Sequence, residues 1–386
     1  MKNNNKKFII LDFGSSKIRL SVFDKHSKNN FSKSELVKYE NNFFSHFTQT
    51  LKIIKNAEKK ISLHIEDIVL TLDHQKTITI DVSIFKNLDE KISFDKAYEI
   101  ITLELRYLIN NNYPNYEIIH IIFDKCFLDE KKELQKFPTN FIKVHKLKVS
   151  FKIICFPKEH INTLKNNFNK INLNVISIYS TSYVKSLSHL NNLNLKSGSF
   201  LDIGFNRSTL ILFKNSKLEL YKTIPIGSLH ISKDVSNILK ITLEEAEKIK
   251  NSFNKTETEF SYDHDQEDNF ISAKEILNKN ISVNLLKKVI LYRVQEIVDL
   301  AFENSKNNSN NFQDDELFLI GEGSKLFNNN SFYLNDKFEF KKINFLEESD
   351  IEICKFGLDY FMKNNEISKN ILKKHGIFEK FFNFFG

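Results

Sequence analysis

Two hydrophobic rhythms alternate along this chain. Short apolar runs bracket polar turns at Phe8–Phe23, Ile68–Leu72, Thr77–Val82 and Glu316–Ile320, with further runs around Tyr116–Phe123 and Lys143–Cys155. Their length and turn-rich flanks predict strands. Elsewhere apolar residues recur every three or four positions, at Phe43–Lys60, at Asp95–Leu108 and through Ile231–Ser305, which predicts helices with one buried face. The resulting class is α/β, with a compact α+β stretch inside its first half.

One strand pair occurs twice. Phe8 to Phe23 reads as a strand, a tight turn at Gly14 and a second strand, and Ser199 to Phe213 repeats it with Leu, Asp, Gly, Leu and Phe in register. The offset is half the chain, far longer than the roughly 20–50 residues of a solenoid repeat, so two related domains are expected. A hairpin turn of small residues presents backbone N–H groups that cradle phosphate oxygens. Two such turns facing each other would clamp one polyphosphate. Asp12 and Asp202 end the first strand of each hairpin, where carboxylates could hold the water shell of a phosphate-bound Mg²⁺. The plainer alternative is that each Asp-x-Gly is only a turn signal; the second copy favours the clamp.

These segments resemble the phosphate-1 and phosphate-2 motifs of the actin, Hsp70 and sugar-kinase superfamily, and Leu317-Phe-Leu-Ile-Gly321-Glu322-Gly323-Ser324 resembles its adenosine motif. Within the superfamily, Leu11–Lys17, Ile224-Pro225-Ile226-Gly227, Ala246-Glu247-Lys-Ile-Lys250 and Arg293-Val-Gln-Glu296 are most similar to the FtsA family of bacterial cell-division proteins. That resemblance implies an actin-like two-domain fold with duplicated RNase H-like domains, an α+β insertion of the 1C type and a C-terminal amphipathic helix. The expected divisions are a first lobe at 1–92 and 157–197, the insertion at 93–156, a second lobe at 198–362, a linker at 363–375 and the helix at 376–386.

The resemblance also implies the ligands. ATP would sit on Gly14, Ser15, Ser16 and Lys17 of the first turn, on Gly204, Asn206, Arg207 and Ser208 of the second, and against Gly321 and Gly323. Asp12 and Asp202 would reach Mg²⁺ through water, and Glu247 and Lys250 the nucleoside. Their alternative is a solvated ion pair one helical turn apart. The second turn departs from a Gly-rich pattern with Phe205, Asn206 and Arg207. Arg207 could supply charge to the phosphates, or Phe205 could obstruct them, so ATP binding with weak or no hydrolysis is expected. Arg293 and Glu296 are the implied contacts for the C-terminal peptide of FtsZ; their alternative is a surface pair. Self-association into filaments and contacts with later division proteins are also implied. The runner-up reading is a PilM-like component of type IV pilus assembly, and a third is a small-molecule kinase, for which no catalytic Asp stands out.

Composition changes little. A net charge of +7 is dispersed, without the basic stripe and stacking aromatics of a nucleic-acid face. Cys126, Cys155 and Cys354 lie far apart without metal-ligand spacing, which suits a reducing cytoplasm. His120 and His145 are expected in the core. No apolar stretch of signal-peptide or membrane-spanning length is expected, and Lys2 excludes N-myristoylation.

The tail adds the last element. At about 100° per residue, Ile377, Phe378, Phe381, Phe382, Phe384 and Phe385 share one arc, opposite Glu379, Lys380 and Asn383. Such a segment is suited to the interface of an anionic membrane, helped by Lys369, Lys373, Lys374 and Lys380. The expected location is the cytoplasmic face of the inner membrane at the division site; the alternative is docking of the tail on the protein's own core.

Overall fold

The computed structural model describes residues 7–37, 43–87, 94–129, 132–134, 145–259, 283–303, 316–327 and 340–373. Strands Phe8–Phe13 (β1), Lys17–Phe23 (β2), Asn29–Leu36 (β3), Asp67–Leu72 (β4) and Asn174–Ser180 (β9) form one sheet in the order β3-β2-β1-β4-β9. Strands Gly198–Ile203 (β10), Ser208–Lys214 (β11), Lys217–Ile224 (β12), Glu316–Ile320 (β13) and Lys342–Phe345 (β14) form another, ordered β12-β11-β10-β13-β14. In each, the first three strands of the chain are antiparallel neighbours and the last two join in parallel. The hairpin repeat therefore extends to whole sheets. Tight turns impose the antiparallel part, whereas parallel neighbours need crossovers, which helices supply. Phe43–Ile61 (α1) leads to β4, and Ser228–Leu239 (α5), Leu243–Glu259 (α6) and Val283–Phe302 (α7) lead to β13.

Alternation along β10 puts its residues in two cores. Leu201 and Ile203 meet Ile231, Val235, Ile290 and Ile297 of the helical layer, while Phe200 stacks on Phe318 at 5.0 Å and faces the other way. That second face continues into the core of the first sheet, by way of Thr181–Asn192 (α4), which touches β9, β10 and β11. Burying a side chain such as Phe200 stabilises by about 1.5–3 kcal/mol.

The inserted unit comprises Ile78–Asn87 (β5), Phe94–Asn112 (α2), Tyr116–Leu128 (β6), Lys132–Leu134 (β7) and Lys146–Pro157 (β8), with sheet order β5-β8-β6-β7. Ala97, Ile101, Leu105 and Ile109, four apart on α2, pack onto it. The expected boundary at residue 93 moves: β5 pairs with β8 from Ile78↔Cys155 to Asn87↔Lys146 and is not a strand of the first lobe's sheet. Alternation identifies a strand but not the sheet it joins. Lys158–Asn169 (α3) returns the chain to β9.

The expected second lobe and linker also change. A helix runs unbroken over Asp350–Lys373 (α8), and its Cys354, Phe356, Leu358 and Phe361 belong to the first sheet's core. Ser349 and Glu352 start it with a reciprocal cap, the Glu352 amide donating to Ser349 Oγ and the Ser349 amide to Glu352 Oε2 at 2.8 Å. Gly357 sits so close to β1 and β4 that a Cβ there would lie 2.9 Å from Thr71 Cγ2 and 3.1 Å from Ile10 Cγ2.

His120 is buried between Tyr360 (3.0 Å) and the Ser180 amide (2.9 Å), and burial pulls its imidazole down to about 3. His145, also expected in the core, is exposed, because it precedes rather than belongs to β8. Among the described residues no helix is long and apolar enough to cross a membrane. Ile377, Phe378, Phe381, Phe382, Phe384 and Phe385 lie outside the described residues, as do the Asn-rich stretches 304–311 and 328–330.

Candidate functional site

The strands β1, β4 and β9 are parallel, so their C-terminal ends meet at one edge; β10 and β13 do the same in the other lobe. Between these edges lies a cavity of about 400 Å³, a size usual for small-ligand sites. Both repeated turns reach it. Asp12, Gly14, Ser15, Ser16 and Lys17 line one side, and Asp202, Gly204, Asn206, Arg207 and Gly321 the other. Local geometry demands the glycines: a Cβ on Gly14 would lie 2.5 Å from the Lys17 carbonyl oxygen, and Gly321, at φ +87°, would push one to 2.3 Å from Asp202 Oδ1.

Four expected residues are elsewhere. Ser208 bonds the Ile226 carbonyl, and Gly323 packs on Ile203. Glu247 and Lys250 are buried and satisfied by each other at 2.6 Å, with Ser232 on the carboxylate and the Ser228 carbonyl on the ammonium. They lie behind the second turn, Lys250 Nζ being 5.8 Å from the Phe205 ring centre, and do not line the cavity. Arg293 and Glu296 stand on α7, where the Arg293 guanidinium grips both oxygens of Asp234 (2.6 and 2.8 Å) as well as Glu296 (2.5 Å).

The carboxylates of the cleft are engaged. Asp12 accepts from Arg19 (2.9 Å), Thr71 (3.1 Å) and Thr181 (2.8 Å). Asp202 accepts from Lys185 Nζ (3.1 Å) and lies 2.5 Å from Ser182 Oγ; burial alone would lift its carboxyl, but Lys185 and then Arg207 hold it below its ordinary value. Lys185 also bonds Glu348 at 2.7 Å, and although burial opposes its charge, Asp202 and Glu348 raise its pKa. Arg207 donates to Asp73, to Ser182 Oγ (3.2 Å) and to Thr209 Oγ1 (3.1 Å). At the mouth Glu322 gathers three cations, Lys17 (3.7 Å), Arg19 (3.2 Å) and Lys325 (3.0 Å).

Two histidines in tilted ring contact, His74 and His160, complete the first-lobe wall with centroids 4.7 Å apart; burial, then His160, lowers His74 to about 4.

Arg19, Asp73, Lys185 and Glu348 went unremarked in the sequence. Arg19 had a signal, because the hairpin register that seats Ile18 opposite Phe13 sets Arg19 opposite Asp12. Asp73 had a weaker one, as the residue after a parallel strand at the edge where ligands collect. Lys185 and Glu348 had none.

With the two sheets and the cleft in place, comparison with solved structures gives the fold. The PilM–PilN type IV pilus biogenesis complex aligns with a TM-score of 0.61 at 12% identity, over 91% of this chain and 97% of that one. MreB5 of Spiroplasma citri, bound to AMPPNP, aligns at 0.54 and 12%, over 96% and 99%. The fold is that of the actin, Hsp70 and sugar-kinase ATPase superfamily. Homology to FtsA within it is weak and partial: the family described as "Cell division protein FtsA" matches residues 200–343 of this actin-like chain. FtsA of Staphylococcus epidermidis (strain ATCC 12228 / FDA PCI 1200) is 22% identical over 259 residues, 64% of this chain and 54% of that protein. FtsA of Bacillus subtilis (strain 168) is 28% identical over 112 residues, 27% and 24%. The chain thus spans about half the length of the first of these relatives.

A nucleotide fits this cleft by volume and by its two glycine turns. A carboxylate-held magnesium ion does not: Asp12 and Asp202 already carry a buried cation each and accept from neighbouring hydroxyls.

Proposed function

We propose that this protein is an FtsA-like division protein built from two RNase H-like lobes and a 1C-type insertion, which binds ATP in the interlobe cleft with weak or no hydrolysis and holds FtsZ at the membrane. The observation that carries the reading is the meeting of three separate turns, at Gly14, Gly204 and Gly321, around one cavity. The FtsA family match over residues 200–343, which contain the second and third of those turns, supports the division role. MreB5, of like fold, carries AMPPNP, which supports the nucleotide.

The FtsZ peptide is assigned to the α5–α7 face around Arg293, where Tyr292 is 71% exposed. Asp234 now occupies the Arg293 fork, so a peptide carboxylate would have to displace it. The tail is assigned to anionic lipid. Co-sedimentation of the full chain with FtsZ and anionic liposomes, with and without ATP, tests the whole reading. Arg293→Glu should abolish FtsZ binding, and removal of the residues after Lys374 should release the protein from liposomes. Flotation unchanged by that truncation, with an earlier thermal transition, would mean that the tail is structural.

A further inference from the structure

Three buried carboxylates stand where the lobes meet, and each touches a monocation: Asp12 has Arg19, which Asp350 and Glu322 share, Asp202 has Lys185, which Glu348 shares, and Asp73 has Arg207. The charges of these three pairs cancel, and a fourth buried carboxylate, Glu348, shares Lys185 and contacts His189 at 3.0 Å. A divalent ion entering among them would bring further charge into a desolvated region where Asp12, Asp73 and Asp202 each already hold a cation.

Arg207 has the central position. It belongs to the second lobe's turn, yet its Nη2 is on Asp73 of the first lobe and its Nη1 is 3.2 Å from Ser182 Oγ. That same hydroxyl lies 2.5 Å from Asp202 and 3.0 Å from Asp73. With one proton it donates to only one of them, so the guanidinium supplies the positive charge between the two acids. It is fixed by a third bond to Thr209, and by a turn whose Gly204 amide bonds the Arg207 carbonyl at 2.9 Å.

We infer that the Arg207 guanidinium takes the place of a divalent cation between the lobes, so that the cleft closes, and accepts a nucleoside polyphosphate, without magnesium. The nucleotide half rests on the function proposed above; the guanidinium half does not. Charge for the phosphates comes from the mouth, where Glu322 is 42% exposed and covers Lys17, Arg19 and Lys325. An incoming phosphate can displace such a carboxylate and take its place beside these cations, of which Lys17 and Arg19 also hold Asp350.

Two measurements on the full chain test this. The first is calorimetry with ATP, in EDTA and in millimolar Mg²⁺. The affinities should agree within about twofold, and a gain of about tenfold or more from Mg²⁺ would overturn the inference. The second is the melting temperature without nucleotide. Arg207→Gln leaves Asp73 uncompensated, and its transition should rise with Mg²⁺ or Mn²⁺, since an ion bound only by the folded state stabilises it. Wild type, Arg207→Lys and the neutral pair Arg207→Gln/Asp73→Asn should not respond. A folded Arg207→Gln indifferent to both metals would refute the assignment; should that variant not fold, the wild-type calorimetry and the neutral pair still decide. If ATP binds under neither condition while Arg207→Gln gains a metal response, the nucleotide reading fails and the role of Arg207 stands.

Discussion

The two repeated hairpins solve one problem in opposite ways. In the first, the residue across from Asp12 is Arg19, so the carboxylate is neutralised within its own hairpin. In the second, Thr209 lies across from Asp202; the neutralising charge, Lys185, comes from α4 of the other lobe, and the turn's own cation, Arg207, is sent back to that lobe's Asp73. The first hairpin carries the countercharge of its own carboxylate, although Asp350 and Glu322 also bond Arg19. The second is complete only when the lobes are together, which makes its ion pairs a measure of lobe contact.

The largest expected difference follows from removing a cation on each side. Lys185→Met strands both Asp202 and Glu348 in the interior and should cost about 3–5 kcal/mol in urea unfolding. Arg19→Met leaves Asp12 two hydroxyl donors, Asp350 its bonds from Lys17 and Ser34, and Glu322 its contact with Lys325, and should cost distinctly less. Equal losses would show that the second hairpin is no more dependent on its partner lobe than the first.

Next come the glycines at the same place in each turn. Gly14→Ala drives a Cβ to 2.5 Å from a backbone carbonyl, whereas Gly204→Ala meets one at 3.1 Å. Thermal unfolding should show a loss of about 1–3 kcal/mol for the first. For the second it should be near zero, because the entropic gain of about 0.4–1 kcal/mol from replacing glycine offsets a mild contact.

The cleft mouth gives a smaller, pH-dependent effect. Burial would raise the Asp350 carboxyl, but hydrogen bonds from Lys17, Ser34 and Arg19 hold it down to about 2. A carboxyl depressed by folding contributes stability above its ordinary value and loses it as pH falls through about 2. Wild type should therefore lose about 1 kcal/mol, discounted for partial exposure, between neutral pH and that point, and Asp350→Asn should lack this component of the acid transition.

Least in stability, but specific in binding, is Glu322→Gln. An exposed acid of this kind changes stability by about 0.5 kcal/mol or less. Removing the Glu322 charge beside Lys17, Arg19 and Lys325 should nonetheless tighten ATP binding in a fluorescent-nucleotide titration, although Asp350 keeps its bonds to Lys17 and Arg19; weaker binding would mean that Glu322 supports the ligand instead of holding its place.

What local sequence decided was the set of elements. Short apolar runs gave β10 and β11 their positions because each strand is buried on both faces, and the Asp-x-Gly repeat located both turns that line the cleft. The Ser349–Glu352 cap that starts α8 is likewise local, since a capping box needs only four consecutive residues. Tertiary structure decided the partners. Nothing local could assign β5 to the inserted sheet, carry α8 back onto the first lobe or turn Glu247 and Lys250 toward each other instead of the cavity. Nor could it show that Lys185 and Arg207 would cross between lobes to neutralise Asp202 and Asp73. Strand and helix periodicity arises from neighbours a few residues apart, whereas the charge state of a buried carboxylate is set by whichever cation the completed fold brings within about 3 Å of it.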